Sequence, residues 1–123
     1  MTMQELYAAI GGDYAHAQRI MKLDKMIAKY LGKLVASGMD ERLRAAGETL
    51  EPTEMFEAAH AMKGVCANLG LVALADAVGA VTEEFRPGAT RQRSDAEVRA
   101  LLDEVYALYQ RVADGVAQYG EQS

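Results

Sequence analysis

Two histidines occur in the 123-residue chain. One of them stands in the run Ala59-His60-Ala61-Met62-Lys63-Gly64. In a helix, residues three and four apart share a face, so this spacing sets an imidazole beside an ammonium group and a stretch of bare backbone. Glycine inside a helix costs about 1 kcal/mol relative to alanine, and a solvated face would ordinarily carry glutamate, lysine or glutamine there. At Gly64 it removes the side chain that would overhang one flank of the ring. Imidazole has an unperturbed pKa of about 6.5 and is largely neutral at pH 7, so a ring nitrogen can act as a nucleophile. Phosphoryl transfer asks for in-line positioning and charge stabilisation more than for covalent machinery. An open imidazole next to a cation suits acceptance of a phosphoryl group, with Lys63 offsetting the added negative charge.

The elements that must position these residues are all helical. The spacing predicts a short helix over roughly Met3 to Ile10, ended by Gly11-Gly12, with Asp13 capping the next. A long second helix follows to about Ser37, with Ile20, Leu23, Ile27, Leu31, Leu34 and Val35 as its apolar stripe, and a bent continuation through residues 39–43. Glu48 to Glu51 read as a connection. A third helix starts near Pro52, a residue suited to the first helical position, and ends near Gly70, where glycine can take a left-handed cap. The fourth carries Leu71, Leu74, Val78, Val81 and Phe85 and stops at Arg86-Pro87-Gly88. Ser94-Asp95-Ala96-Glu97 is a capping box, and it opens a fifth helix with Val98, Leu101, Val105, Leu108 and Val112 on one side. The steps of three and four mark near-antiparallel packing, and short connections join helices that run up and down. No segment alternates with period two. The expected fold is all-α, an antiparallel up-and-down four-helix bundle with a short extra N-terminal helix, forming one domain over residues 1–123.

A wheel of the third helix decides which way the histidine points. With His60 at zero, Met55, Ala58, Met62, Val65 and Leu69 fall between about 140° and 220° and form the face turned to the bundle. His60 is therefore expected at the surface, with Thr53, Phe56, Glu57, Lys63, Gly64 and Ala67 around it. Cys66, at about 240°, is expected as a small hydrophobe at the edge of the core.

Composition limits what such a surface can meet. The net charge is −5, which disfavours general binding to the nucleic-acid phosphate backbone. No run approaches the roughly 18 apolar residues of a membrane span. The start, MTMQELYAAI, lacks a basic segment followed by an apolar run, so the expected location is cytoplasmic. A single cysteine excludes an internal disulfide and a four-cysteine zinc site. His16 has no second histidine at metal spacing and is expected at the surface without a task. No metal site is expected.

The run from Ala59 to Leu74 resembles the histidine-containing phosphotransfer (HPt) domain family. The family signature, His-x-x-Lys-Gly followed after five residues by a second glycine, reads here from His60 through Lys63 and Gly64 to Gly70. Asn68-Leu69-Gly70 and Leu74 match as well, and Gly11-Gly12-Asp13 before a long helix is also familiar. Met62 stands where leucine is common. Downstream, Val78 and Val81-Thr82-Glu83 replace a more usual cysteine and leucine-glutamate, at positions that read as packing. The resemblance implies that His60 is the phosphoacceptor, that Lys63 is the phosphate-side cation, and that Gly64 gives clearance. It implies a phosphate carrier rather than an enzyme, shuttling between the aspartates of response-regulator receiver domains in a two-component phosphorelay, with a hybrid histidine kinase as a further partner. It implies no cofactor of its own, with Mg²⁺ supplied by the receiver, and a monomer. The chain has no glycine-rich phosphate loop and no room for an ATP-binding domain. Two alternatives stay open at this level: a helical adaptor that binds a receiver or kinase without being phosphorylated, and a dimerising bundle like that of histidine kinases.

Other residues yield weaker expectations. Arg19, Lys22, Lys29 and Lys33, with Lys25 nearby, form a basic stripe that either steers docking to an acidic receiver or is simply a solvated face. Phe56 is either a partner contact or folded beside the core. Arg86, Arg91 and Arg93 read as loop residues that favour solubility.

Overall fold

A computed structural model describes residues 1–121 and contains seven α-helices and no strand among them. They are α1 (Met3–Ala9), α2 (Tyr14–Met21), α3 (Asp24–Ala36), α4 (Met39–Thr49), α5 (Pro52–Asn68), α6 (Val72–Glu84) and α7 (Asp95–Glu121).

Local chemistry sets most boundaries. Thr2 and Glu5 form a capping box at α1, and Ser94 and Glu97 form the expected one at α7, with backbone-to-side-chain bonds of 3.0 and 3.1 Å. Pro52 opens α5, and the Glu51 carboxylate accepts from the backbone N–H groups of Thr53 and Glu54. Such caps satisfy donors that the helix itself leaves unpaired.

The expected long second helix is corrected: it is broken at Lys22, which takes φ +74°, with Leu23 extended after it. Ile20 and Leu23 are 45% and 62% exposed, so neither belongs to the buried stripe. The break is held by the Tyr14 hydroxyl, which donates to Asp24 Oδ1 at 2.6 Å. Asp24 lies in the first turn of α3, where a carboxylate complements the helix dipole. The bent continuation is a separate helix, α4, running to Thr49. Gly38 makes the bend in the left-handed conformation.

Helices α4, α5, α6 and α7 close a ring in which each packs on the next, with α3 and α1 laid on α7. Arg99 near the start of α7 donates to the carbonyls of Gly47 and Glu48 at the end of α4, so these two run antiparallel. The two-residue link from α4 to α5 and the three-residue link from α5 to α6 reverse the chain each time. Glu84 at the end of α6 bonds Gln92 and Arg93 just before α7. The bundle is therefore up-and-down.

The core is mostly apolar, with Thr82 and Glu84 as its buried polar side chains among the described residues. From α5 come Met55, Ala58, Ala59, Met62 and Cys66, from α6 Leu74, Val78 and Val81, and from α7 Val98, Leu102, Val105, Tyr109 and Val112. Leu102 and Tyr109 take the places expected for Leu101 and Leu108, which are half-buried. The seam on α7 thus steps by four and three, as antiparallel neighbours require. No helix among the described residues is long and apolar enough to cross a membrane.

Candidate functional site

Helix α5 presents the face that the wheel anticipates. Met55, Ala58 and Met62 are buried, with Val65 half-buried, while His60 is exposed on the opposite side. Gly64 is exposed too, and a Cβ built there would have no atom within 4 Å. Packing therefore does not require glycine at this position. In a helix each side chain leans back toward the residues three and four before it, so a side chain at 64 would lean over His60. Its absence leaves that face of the imidazole bare.

The other face is covered. Phe56 lies one turn before His60, and the two rings stack with centroids 5.2 Å apart and planes 12° from parallel. Phe56 is half-buried, so it serves both as a rim of the core and as the floor of the imidazole. The Arg86 guanidinium lies 5.6 Å from the Phe56 ring centroid. Its Nη2 and Nε donate to the two carboxylate oxygens of Glu83 at 2.6 and 3.1 Å. Arg86, expected only to favour solubility, is paired with Glu83 and lies over the ring of the histidine's neighbour.

Lys63 is half-buried. Its stem crosses α6 at Gly79, where a built Cβ would sit 3.5 Å from Cε and 3.9 Å from Nζ. A side chain at 79 larger than alanine would meet this stem. Hydrogen bonding to Arg86 holds the Glu83 carboxyl below the usual carboxylate range, and the Lys63 charge adds to the pull. Two cations, Lys63 and Arg86, thus share the field of one carboxylate on the α6 side of His60.

On the other side, α3 flanks α5. Tyr30, Lys33, Leu34, Val65 and Asn68 line a common groove. The break at Lys22 divides the expected basic stripe: Arg19 and Lys22 end α2, while Lys29 and Lys33 lie on α3, both over the Tyr30 ring at 5.9 and 5.2 Å. Of these cations, Lys33 lines the groove beside Val65 and Asn68 of the helix that carries His60.

Two residues outside this face depart from expectation. His16 is not idle: it is half-buried, and its Nε2 lies 3.0 Å from the Ala67 carbonyl oxygen at the end of α5. Arg91 and Arg93 do more than decorate a loop. Their guanidinium groups lie 3.9 and 3.3 Å from the carboxylate of Glu84, whose side chain is 3% exposed. The sequence signal for this anchor was a glutamate at a core-facing position of α6 within reach of two arginines. Cys66 is fully buried, as expected, and burial pushes its thiol up to about 12. Among the described residues no three His, Cys, Asp or Glu side chains come together in a way that could hold a metal ion.

Such a face can accept a small anionic group from a partner on the bare side of the imidazole, with cations at its border. A family model described as Hpt domain matches residues 30–115 of the chain, a span that includes this face and all of α4, α5 and α6. No curated protein matches the chain.

Proposed function

The chain belongs to the Hpt domain family, whose members perform histidine phosphotransfer in two-component signalling as carriers rather than kinases, and from that premise we propose that His60 carries a phosphoryl group between receiver-domain aspartates. The observation that supports this most directly is the exposed imidazole with open space over the next turn of its helix.

The step is balanced without a further reactant. The lone pair of one His60 ring nitrogen forms the P–N bond. The P–O bond of the aspartyl phosphate breaks, and its electron pair leaves with the aspartate carboxylate. The second ring nitrogen keeps its proton through the attack. The reverse sequence delivers the phosphoryl group to a second receiver. Lys63 offsets the negative charge gained at the imidazole, and Gly64 leaves room for the receiver. Mg²⁺, which neutralises charge on the transferring group, comes with the receiver and its acidic pocket.

The test mixes the protein with a phosphorylated receiver and Mg²⁺. Label is expected on the wild type, stable in base and labile in acid, and absent from His60→Gln. Label that persists on the variant overturns the site. Binding of receivers without label on the wild type would make the protein an adaptor instead.

A further inference from the structure

We infer that Phe56 is a positioning residue for transfer at His60: by stacking on one face it fixes the plane of the imidazole, and with it the direction of the in-plane nitrogen lone pair that meets the phosphoryl group, while Gly64 leaves the other face clear for the partner. This rests on the carrier reading of His60 given above.

A surface histidine is free to change rotamers, and ordering it has an entropic cost at the moment of reaction. In-line transfer tolerates little misorientation. Here the disorder is removed beforehand. The lean of helical side chains brings the His60 ring back over residue 56. The aromatic ring at that position meets it at 5.2 Å and 12° from parallel, within the range of offset-stacked pairs.

Phe56 is itself held. Part of it is buried against the core. Arg86 lies near its ring at 5.6 Å, and that arginine is fixed in a two-pronged bond to Glu83, a geometry more restrictive than a single contact. A floor exists at residue 56 and no ceiling at residue 64, so the imidazole has one open face.

The experiment compares Phe56→Leu, Phe56→Tyr and wild type. Single-turnover transfer from a phosphorylated receiver is followed over a range of receiver concentrations, and the His60 ring-proton shifts are read by NMR. Circular dichroism melting checks that each variant is folded. In the wild type and in Phe56→Tyr, the His60 ring protons are expected upfield, as ring current requires. In Phe56→Leu they return to free-histidine positions. The saturating transfer rate falls about two- to twelvefold, the worth of one aromatic pair. The half-saturating concentration stays the same, and Phe56→Tyr restores the rate.

Three results overturn the proposal: transfer at the wild-type rate in Phe56→Leu, equal loss in Phe56→Leu and Phe56→Tyr, or a loss confined to the half-saturating concentration, which would make Phe56 a docking contact. If the wild type takes no label at all, the carrier reading fails and takes this role with it. The ring shifts then still report whether the stack exists, so the two failures are distinguishable.

Discussion

The Glu84 carboxylate accepts the backbone N–H of Arg93 at 2.6 Å and its guanidinium at 3.3 Å. With the N–H of Gln92 also at 2.6 Å, one buried side chain ties the loop after α6 to the start of α7. Burial pushes this carboxyl up, but the two backbone N–H groups and Arg93 outweigh it and hold it below the usual range. A lowered folded pKa means that the carboxylate's contribution is present above the unfolded value of about 4.3 and is lost as pH falls through the folded value. Glu84→Gln is expected to lose about 1.5–3 kcal/mol at pH 7, the worth of hydrogen bonds to a charged group. The gap between variant and wild type in urea midpoints should narrow from pH 7 toward pH 3. A constant gap would mean that the charge plays no part.

Gly64 separates stability from transfer. Alanine there meets no atom within 4 Å, so Gly64→Ala should stabilise the protein by about 0.4–1 kcal/mol through the unfolded chain. Gly64→Gln should leave the melting temperature at or above that of the wild type, yet slow transfer at least tenfold by leaning over His60. Thermal melts and single-turnover labelling on the same samples check both arms.

Lys63 should act through its charge. Lys63→Gln is expected to lower the transfer rate about tenfold at low salt, while Lys63→Arg keeps most of it. The site is half-exposed, so added salt should shrink the difference between wild type and Lys63→Gln. A rate series from 0.02 to 0.5 M salt, both values being about the range over which screening changes, measures this.

Cys66 should be chemically silent in the folded protein. Its folded pKa is raised to about 12 by burial, so it stays protonated at pH 9, while an unfolded cysteine ionises above about 8.5. The unfolded state then binds fewer protons, and stability falls as pH rises past that value. Alkylation by iodoacetamide at pH 8.5 should follow the unfolding rate and accelerate in urea. Fast modification in native buffer would mean that the thiol is accessible.

Where the sequence was legible, one pattern controlled the outcome. The α5 face and the α6 stripe are each written in apolar spacing, and His60, Lys63 and Gly64 follow from that face by rotation alone. The break at Lys22 was not legible, because Ile20, Leu23 and Ile27 continue the helical period across it and no glycine or proline interrupts them. The hydrogen bond that spans the break joins residues ten apart, Tyr14 and Asp24, and no local pattern announces it. The same limit hid the partner of His16, which depends on how α2 docks on α5, and that of Arg91 and Arg93, which depends on how the loop after α6 folds back on Glu84. The Phe56–His60 stack was within reach, since residues four apart on one face must meet. The ring angle and the Arg86 contact depend on α6.

The family match starts at residue 30, yet the end of the bundle where α5 turns into α6 is closed by residues that precede it. The Tyr7 hydroxyl donates to the Leu69 carbonyl at 2.7 Å. The Asp13 N–H donates to Gly70, and Ala73 donates to Gly11. Gly70 stands at φ +68°, where a Cβ would come 2.6 Å from the Asp13 carbonyl oxygen. An expression fragment trimmed to the family boundary would thus be uncorked, with Leu69, Leu71 and the Gly115 stretch of α7 turned to water and ready to aggregate. A tag or fused domain on that side has to be spliced ahead of Thr2, because the first thirteen residues are the stopper and not a leash.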